Sequence, residues 1–295
     1  MTPVTDASAT PLEPVVPSRP TRLIATDLDG TLLHDDKTVS DRTIAALAAA
    51  EEAGIEVFFV TGRPARWMDV VSDHVHGHGL AICANGAAVV DLHRGRRIVE
   101  VSPLEPTVAL DVVAALRGAA PGTAFAVERT GSFHHEPAYP PLRLDPTANV
   151  APAEKLLAED FAASVDPEGR GQPVLKLLAH HADLDPDAFL ALARKAAGNL
   201  ASFTRSSPTA LLEISGPGVS KAGTLARCCA ERGISPAEVV AFGDMPNDIE
   251  MLSWAGTSYA MANAHPDVLA ATTRRTASNN DDGVAVVIER ILSAQ

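Results

Sequence analysis

The chain has 295 residues, 46% of them hydrophobic, and carries 37 Asp and Glu against 24 Lys and Arg, a formal net charge of −13. That length supports one large or two medium domains, and the acidic excess argues against a nucleic-acid or anionic-membrane partner, either of which needs a basic face. Three cysteines, Cys83, Cys228 and Cys229, match neither a disulfide framework nor a zinc-site spacing, so a reducing cytoplasm is the simplest setting.

No apolar run reaches eighteen residues, and the first twenty lack the basic start and apolar centre of a secretion signal. Pro3, Pro11, Pro14, Pro17 and Pro20 forbid a regular helix there and predict a disordered leader over 1–20. From Arg22 onward strands and helices alternate. Leu23 to Thr26 reads as extended, Asp41 to Ala53 as a helix with Ser40 as N-cap and Gly54 as stop, and Ile55 to Val60 as extended again, a βαβ unit. Leu80 to Ala84, ending in Asn85-Gly86, and Val239 to Phe242, ending in Gly243-Asp244, are further buried-strand runs. Continuous apolar strands interleaved with helices indicate a parallel sheet covered on both faces, with ligands bound beyond the carboxyl ends of its strands. Between 87 and 214 shorter runs follow at Ala88 to Asp91, Ile98 to Val101, Ala124 to Arg129, Val174 to Ala179 and Ser202 to Arg205. With helices near Pro106 to Arg117 and Pro186 to Ala197, they predict an inserted α+β domain. Residues 140–172 read as loops around one short helix near Ala153 to Phe161.

The polar motifs all stand at strand ends. Asp27-Leu28-Asp29-Gly30-Thr31 places two carboxylates two residues apart at a glycine turn, so that one can attack an electrophile while the other handles a proton. An Asp-Gly turn after a strand has the same look. Gly243-Asp244-Met245-Pro246-Asn247-Asp248 offers hard oxygen ligands on the same sheet edge, suited to Mg²⁺ rather than to zinc, or alternatively an N-cap before a helix over 248–255. Thr61-Gly62-Arg63-Pro64 supplies a hydroxyl and backbone N–H groups fit to hold phosphoryl oxygens. Lys221, after Ser220, starts a helix from which its ammonium can balance charge on a transferred group. Singly, a first-turn Thr is a cap and a lone Lys is solvated; the four motifs together point to phosphoryl chemistry.

In this order and spacing the motifs resemble those of the haloacid dehalogenase superfamily, and within it the Cof-type phosphatases with a large α/β cap, over roughly residues 22–293. The resemblance implies an α/β fold with a Rossmann-like three-layer core over 21–86 and 215–295 and an inserted, mobile α+β cap over 87–214. It implies Asp27 as nucleophile, Asp29 as acid/base and Lys221 as charge-balancing amine. Thr61, the backbone at Leu28 and Gly62, and the Asn247 side chain would hold phosphate. Mg²⁺ would be held by Asp27, by Asp29 through its carbonyl and by Asp244, with Asp248 a carboxylate close to the metal and Lys221. The implied activity is hydrolysis of small phosphate monoesters, such as sugar phosphates or phosphorylated cofactors, through an aspartyl-phosphate, with phosphotransfer to a sugar or ligand sensing as alternatives. Asn85-Gly86-Ala87 and Asn279 to Val284 also resemble segments of these proteins, and read equally well as turns. Met245-Pro246 departs from the smaller or more polar residues of many relatives.

Some features stay outside that scheme. His74, His76 and His78 alternate beside two glycines and read as a solvated loop rather than a metal site. His134, His135 or Lys176 would reach the non-phosphate part of a substrate if the cap closes, depending on a strand register the sequence leaves open. Cys228, Cys229, Trp67 and Trp254 read as packing residues.

Overall fold

The computed structural model describes residues 20–72, 79–140, 145–166, 171–206 and 209–294. The expected leader, apart from Pro20, and the His74, His76, His78 group lie outside the described residues. In chain order the elements begin with β1 (Leu23–Thr26), α1 (Asp41–Glu52), β2 (Glu56–Val60), α2 (Asp69–Ser72), β3 (Leu80–Cys83), β4 (Ala88–Asp91) and β5 (Arg97–Val101). A middle set follows: α3 (Pro106–Ala119), β6 (Ala124–Arg129), β7 (Phe133–His135), α4 (Ala153–Leu156), α5 (Glu159–Val165), β8 (Val174–His180), α6 (Pro186–Ala197), β9 (Ser202–Thr204) and β10 (Leu211–Ser215). The chain ends with α7 (Lys221–Glu231), β11 (Val239–Gly243), α8 (Ile249–Trp254), β12 (Thr257–Ala260), α9 (Pro266–Ala271), β13 (Arg274–Arg275) and α10 (Gly283–Ser293).

Two sheets result. The larger has the order β13-β12-β11-β1-β2-β3-β4-β5, with its first six strands parallel and β4 and β5 antiparallel; the smaller, β7-β6-β8-β10-β9, is antiparallel throughout. All four residues of β1 are fully buried, as are Phe58, Phe59, Ala241 and Phe242 on its neighbours, which is the pattern of a parallel sheet covered on both faces. The Leu, Ile and Phe side chains among them each contribute about 1.5–3 kcal/mol on leaving water. Cys83, Cys228, Cys229 and Trp254 pack in this core as expected, whereas Trp67 stands at its edge.

In the smaller sheet the two-residue period of a strand sorts the side chains. Phe125 and Val127 of β6, Leu177 and Ala179 of β8, and Leu212 and Ile214 of β10 pack in one apolar cluster with α3 and α6. The alternate residues, Glu128, Lys176, Leu178, Leu211 and Glu213, line a cavity shared with the larger unit.

Three sequence expectations change. The runs Ala88 to Asp91 and Ile98 to Val101, expected in the insert, form β4 and β5 and pair into the larger sheet, because the tight turn Ala84–Gly86 folds β4 back onto β3. We therefore propose that the inserted domain begins after Val101 rather than at residue 87. The single helix near 153–161 is two short ones, α4 and α5. The helix over 248–255 starts one residue later, after a 3₁₀ turn at Pro246–Asp248. The two connections to the insert lie against one another, since a Cβ on Gly216 would stand 2.9 Å from the Pro103 carbonyl oxygen. No helix among the described residues is long and apolar enough to cross a membrane.

Gly86 holds the turn after β3 against α7: its φ is +107°, and a Cβ there would collide with the Ser220 carbonyl, while its own carbonyl accepts from the Thr224 hydroxyl at 2.9 Å. Gly86→Ala is expected to lower stability by about 1–3 kcal/mol through backbone strain. Urea unfolding should show a lower midpoint at unchanged slope, and an unmoved midpoint would contradict this account of the turn.

Candidate active site

The floor of the cavity is set where β1 and β11 end side by side. The Asp27 amide donates to the Phe242 carbonyl at 3.1 Å, which places Asp27 next to the Gly243-Asp244 turn. Asp27, Asp244 and Asp248 are all buried, and a carboxylate oxygen from each lies within 4.8 Å of the others. Lys221 enters from the first turn of α7, where Ser220 accepts from the Gly223 amide as N-cap. Its ammonium, 1% exposed, donates to Asp27 Oδ1 at 2.5 Å and Asp248 Oδ1 at 2.7 Å. Burial alone would lower the Lys221 pKa, but the charges of Asp248 and Asp27 prevail and hold it above the usual lysine range.

The carboxylates are not equivalent. Asp248 is saturated with donors, since its other oxygen accepts from the amides of Asp244 (3.1 Å) and Met245 (3.0 Å). Burial and then the repulsion of Asp248 and Asp244 push Asp27 well above the ordinary carboxylate value, against the pull of Lys221. Burial, with repulsion from Asp248, likewise raises Asp244 to about 7, although the Thr31 hydroxyl donates to its Oδ1 at 2.9 Å. Gly30 is required beside it: φ is +82°, and a Cβ would overlap the Asp244 carboxylate.

Asp29 stands apart from this cluster. Arg63 grips it with two parallel bonds, Nε to Oδ2 at 2.6 Å and Nη2 to Oδ1 at 2.7 Å, and Lys37 adds a 3.1 Å ion pair. Burial would raise the Asp29 pKa, yet these cations bring it down to about 2. The carboxylate is thus ionised in this arrangement.

Asp27, Asp29, Thr61, Gly62 and Asn247 line the cavity, which measures about 750 Å³. Lys221, Asp244 and Asp248 are buried around Asp27. Leu28 is buried as a side chain, and its carbonyl accepts from the amides of Thr31 and Leu33. Thr61 accepts from the Arg63 amide at 3.1 Å, so its hydroxyl proton is left to point elsewhere. Asn247 commits its amide nitrogen to Asn85 Oδ1 at 3.2 Å. Its own Oδ1 is buried and unpartnered.

The roof is the polar face of the smaller sheet. Lys176 Nζ crosses to the Gly62 carbonyl at 2.8 Å and pairs with Glu213, which also accepts from the Ser206 hydroxyl and, at 2.9 Å, from the Asn85 amide. Burial would raise the Glu213 pKa, but Lys176 more than compensates and the carboxyl titrates below its usual value. Glu128 accepts from Arg66 Nη1 at 2.5 Å. Burial outweighs that bond and raises its pKa. Of the cap residues considered from sequence, Lys176 alone joins the site. His134 bonds to Ser132 and the Asn149 amide, and packs edge-on against Phe161 at 5.0 Å.

Sequence reasoning assigned no role to Arg63, Lys37, Thr31, Asn85, Glu128 or Glu213. A usable signal exists for Lys176 and Glu213: each stands between apolar residues in the middle of a strand, and a buried charge is retained only with a partner. Asn279, in the late Asn-Asn-Asp-Asp segment, donates to the Leu33 carbonyl and to Asp35, bracing the loop after Asp29.

A family model described as haloacid dehalogenase-like hydrolase matches residues 24–288. A pyridoxal phosphate phosphatase of Escherichia coli is 30% identical, over 91% of this chain and 97% of that protein. A 5-amino-6-(5-phospho-D-ribitylamino)uracil phosphatase of Bacillus subtilis is 28% identical, over 92% and 97%. The fold matches that of the HAD subclass IIB sugar phosphatase BT4131 with a TM-score of 0.73, at 20% identity over 91% of this chain and 98% of the other.

Lys176→Met would leave Glu213 buried opposite no ammonium, at a cost of about 3–5 kcal/mol at neutral pH. The sign with pH is fixed. In the wild type the depressed Glu213 pKa adds stability above the ordinary carboxyl value of 4.5, lost as pH falls through the folded value. In the variant the carboxyl is raised and protonates first in the folded state, so the deficit should shrink as pH falls from 7 to about 4.5. Urea unfolding at both pH values checks this, and a deficit that grows on acidification refutes it.

Proposed function

This chain belongs to the haloacid dehalogenase-like hydrolases, in their Cof-type branch, and from that premise we propose that it hydrolyses small phosphate monoesters with Asp27 as nucleophile. One observation carries the reading. A buried carboxylate at a cavity floor has one oxygen fixed by an ammonium, while its other oxygen has no hydrogen-bond partner among the described residues. Relatives named for pyridoxal phosphate and for a phosphoribitylaminouracil support a small phosphorylated metabolite as substrate.

In the first step the free Asp27 oxygen attacks phosphorus, and the bond from phosphorus to the leaving oxygen breaks, leaving an aspartyl-phosphate. Asp29 gives its proton to the leaving oxygen. In the second step Asp29 takes a proton from water, whose oxygen attacks phosphorus and releases Asp27 with free phosphate. Held at a pKa of about 2 by Arg63 and Lys37, Asp29 cannot carry the first proton. The acid must part from Arg63 before it can act, and an arriving phosphoryl group competes for that guanidinium. Lys221 steadies Asp27 and offsets the charge gathering on the transferred group. Thr61 and the backbone at Gly62 sit where phosphoryl oxygens would rest, and Leu28 is assigned the same backbone role. The Asn247 nitrogen must leave Asn85 to join them.

The donor set fits a divalent cation. Three carboxylates face one another around a single ammonium; burial first, and their mutual repulsion after it, raise Asp27 and Asp244, and a cation would remove that repulsion. We assign Mg²⁺, held by the carboxylates of Asp27 and Asp244 and the carbonyl of Asp29, from the all-oxygen ligand set. When bound it supplies neutralisation of the repulsion between carboxylate and phosphoryl group. Asp248, with its oxygens already accepting from Lys221 and two amides, holds the ammonium and the Asp244 loop in place.

Purified protein should release phosphate from an aryl phosphate in the presence of Mg²⁺, and Asp27→Asn should lose at least about 10³-fold in kcat, since no nucleophile remains. A variant that turns over as well as the wild type defeats the mechanism. Equilibrium dialysis should show Asp244→Ala weakening Mg²⁺ binding at least about tenfold, because a charged ligand is gone; undiminished binding would place the ion elsewhere.

A further inference from the structure

The cavity lining includes a guanidinium that the mechanism above does not use. Arg66 lies on the 3₁₀ turn Ala65–Trp67, three residues beyond Arg63, and its side chain reaches from the larger unit to the smaller sheet. Nη1 donates to Glu128, the guanidinium carbon stands 5.0 Å from the Trp67 ring centroid, and Nη2 is buried with no partner. A buried N–H without an acceptor costs about 1–3 kcal/mol, so an acceptor brought by a ligand recovers that amount.

Resting on the phosphatase reading above, we infer that Arg66 is a specificity-determining residue for the leaving group, and that Nη2 donates to an uncharged acceptor on a flat ring. Charge decides the first half. The Arg66 cation is already matched by buried Glu128, as Lys176 is by Glu213. A second anion on the substrate would have to displace one of these carboxylates or lie beside both, whereas a neutral hydroxyl, carbonyl or ring nitrogen takes the spare N–H once the guanidinium turns that buried edge toward the cavity, and brings no charge to compete with either pair.

Shape decides the second half. Phe133 and Tyr139, edge-on at 6.2 Å, line the same cavity as Trp67, Leu178 and Leu211, and Phe133 stands opposite Glu128 in the register of β6 and β7. About 750 Å³ is far more than a phosphoryl group needs, and falls in the range of sites that enclose a ring-bearing molecule. Such a ring lies against apolar walls, and its polar edge meets Arg66.

Three probes separate the outcomes. Pyridoxal 5′-phosphate carries a ring with acceptors, benzyl phosphate the same kind of ester on a ring without them, and 2-phosphoglycolate a second anion and no ring. The wild type should favour pyridoxal 5′-phosphate over 2-phosphoglycolate in kcat/KM by tenfold or more. Arg66→Ala should lose at least tenfold more on pyridoxal 5′-phosphate than on benzyl phosphate, chiefly through KM. Arg66→Lys, which keeps the charge and lacks the fork, should recover only a small part. Equal losses on both ring esters, no loss on either, or a wild-type preference for 2-phosphoglycolate would overturn the assignment of Arg66 while leaving the phosphatase reading intact. No phosphate release from any of the three by the wild type would bring both down.

Discussion

Three buried carboxylates share one buried ammonium, and the geometry of the rest of the site follows from that imbalance. Burying four ionisable groups together is expensive, and a pair of this kind adds little to stability over an apolar substitute. The arrangement persists through its supports: β1 and β11 end in register, the Ser220 cap starts α7 at Lys221, and two backbone amides pin Asp248. What remains uncompensated is concentrated on Asp27 and Asp244, the two groups proposed to face a cation and a phosphoryl group. The strain in charge is a form of preorganisation, since the site is built for positive charge that the protein does not itself supply.

A second polar chain joins the two sheets. It runs from the Gly62 carbonyl to Lys176, on to Glu213, then to Asn85 and Asn247. Both ends of the chain lie on loops assigned to phosphate, and its middle lies on the cap. The smaller sheet is therefore more than a cover. Its charged face is hydrogen-bonded to the backbone proposed to receive the phosphoryl group, so its position and the shape of that loop are linked.

The core and its acidic floor were legible in the sequence because they rest on local signals: apolar runs, Ser40 and Ser220 before helices, and Asp-Gly turns at strand ends. Those signals identified Asp27, Asp244 and Lys221 as residues to converge, and the structure brings them together. The β4–β5 hairpin extends the larger sheet, which the sequence does not reveal, since an antiparallel extension of a parallel sheet looks locally like any short strand pair. The Asp29–Arg63 pair was missed although both residues lay in quoted motifs, because ion pairs across 34 residues depend on rotamers rather than on pattern. Lys176 could not be told from His134 until register was known; one strand face separates a residue in the cavity from one packed against Phe161.

The crossing of the two connectors has a mechanical meaning. Where Gly216 runs beside Pro103, so close that even a methyl group would crowd it, the chain passes out to the smaller sheet and back at one corner. Two tethers at a single corner leave the rest of the smaller sheet to be held against the larger unit by side-chain contacts, and charged groups supply bonds that do so: Lys176 to the Gly62 carbonyl and Arg66 to Glu128.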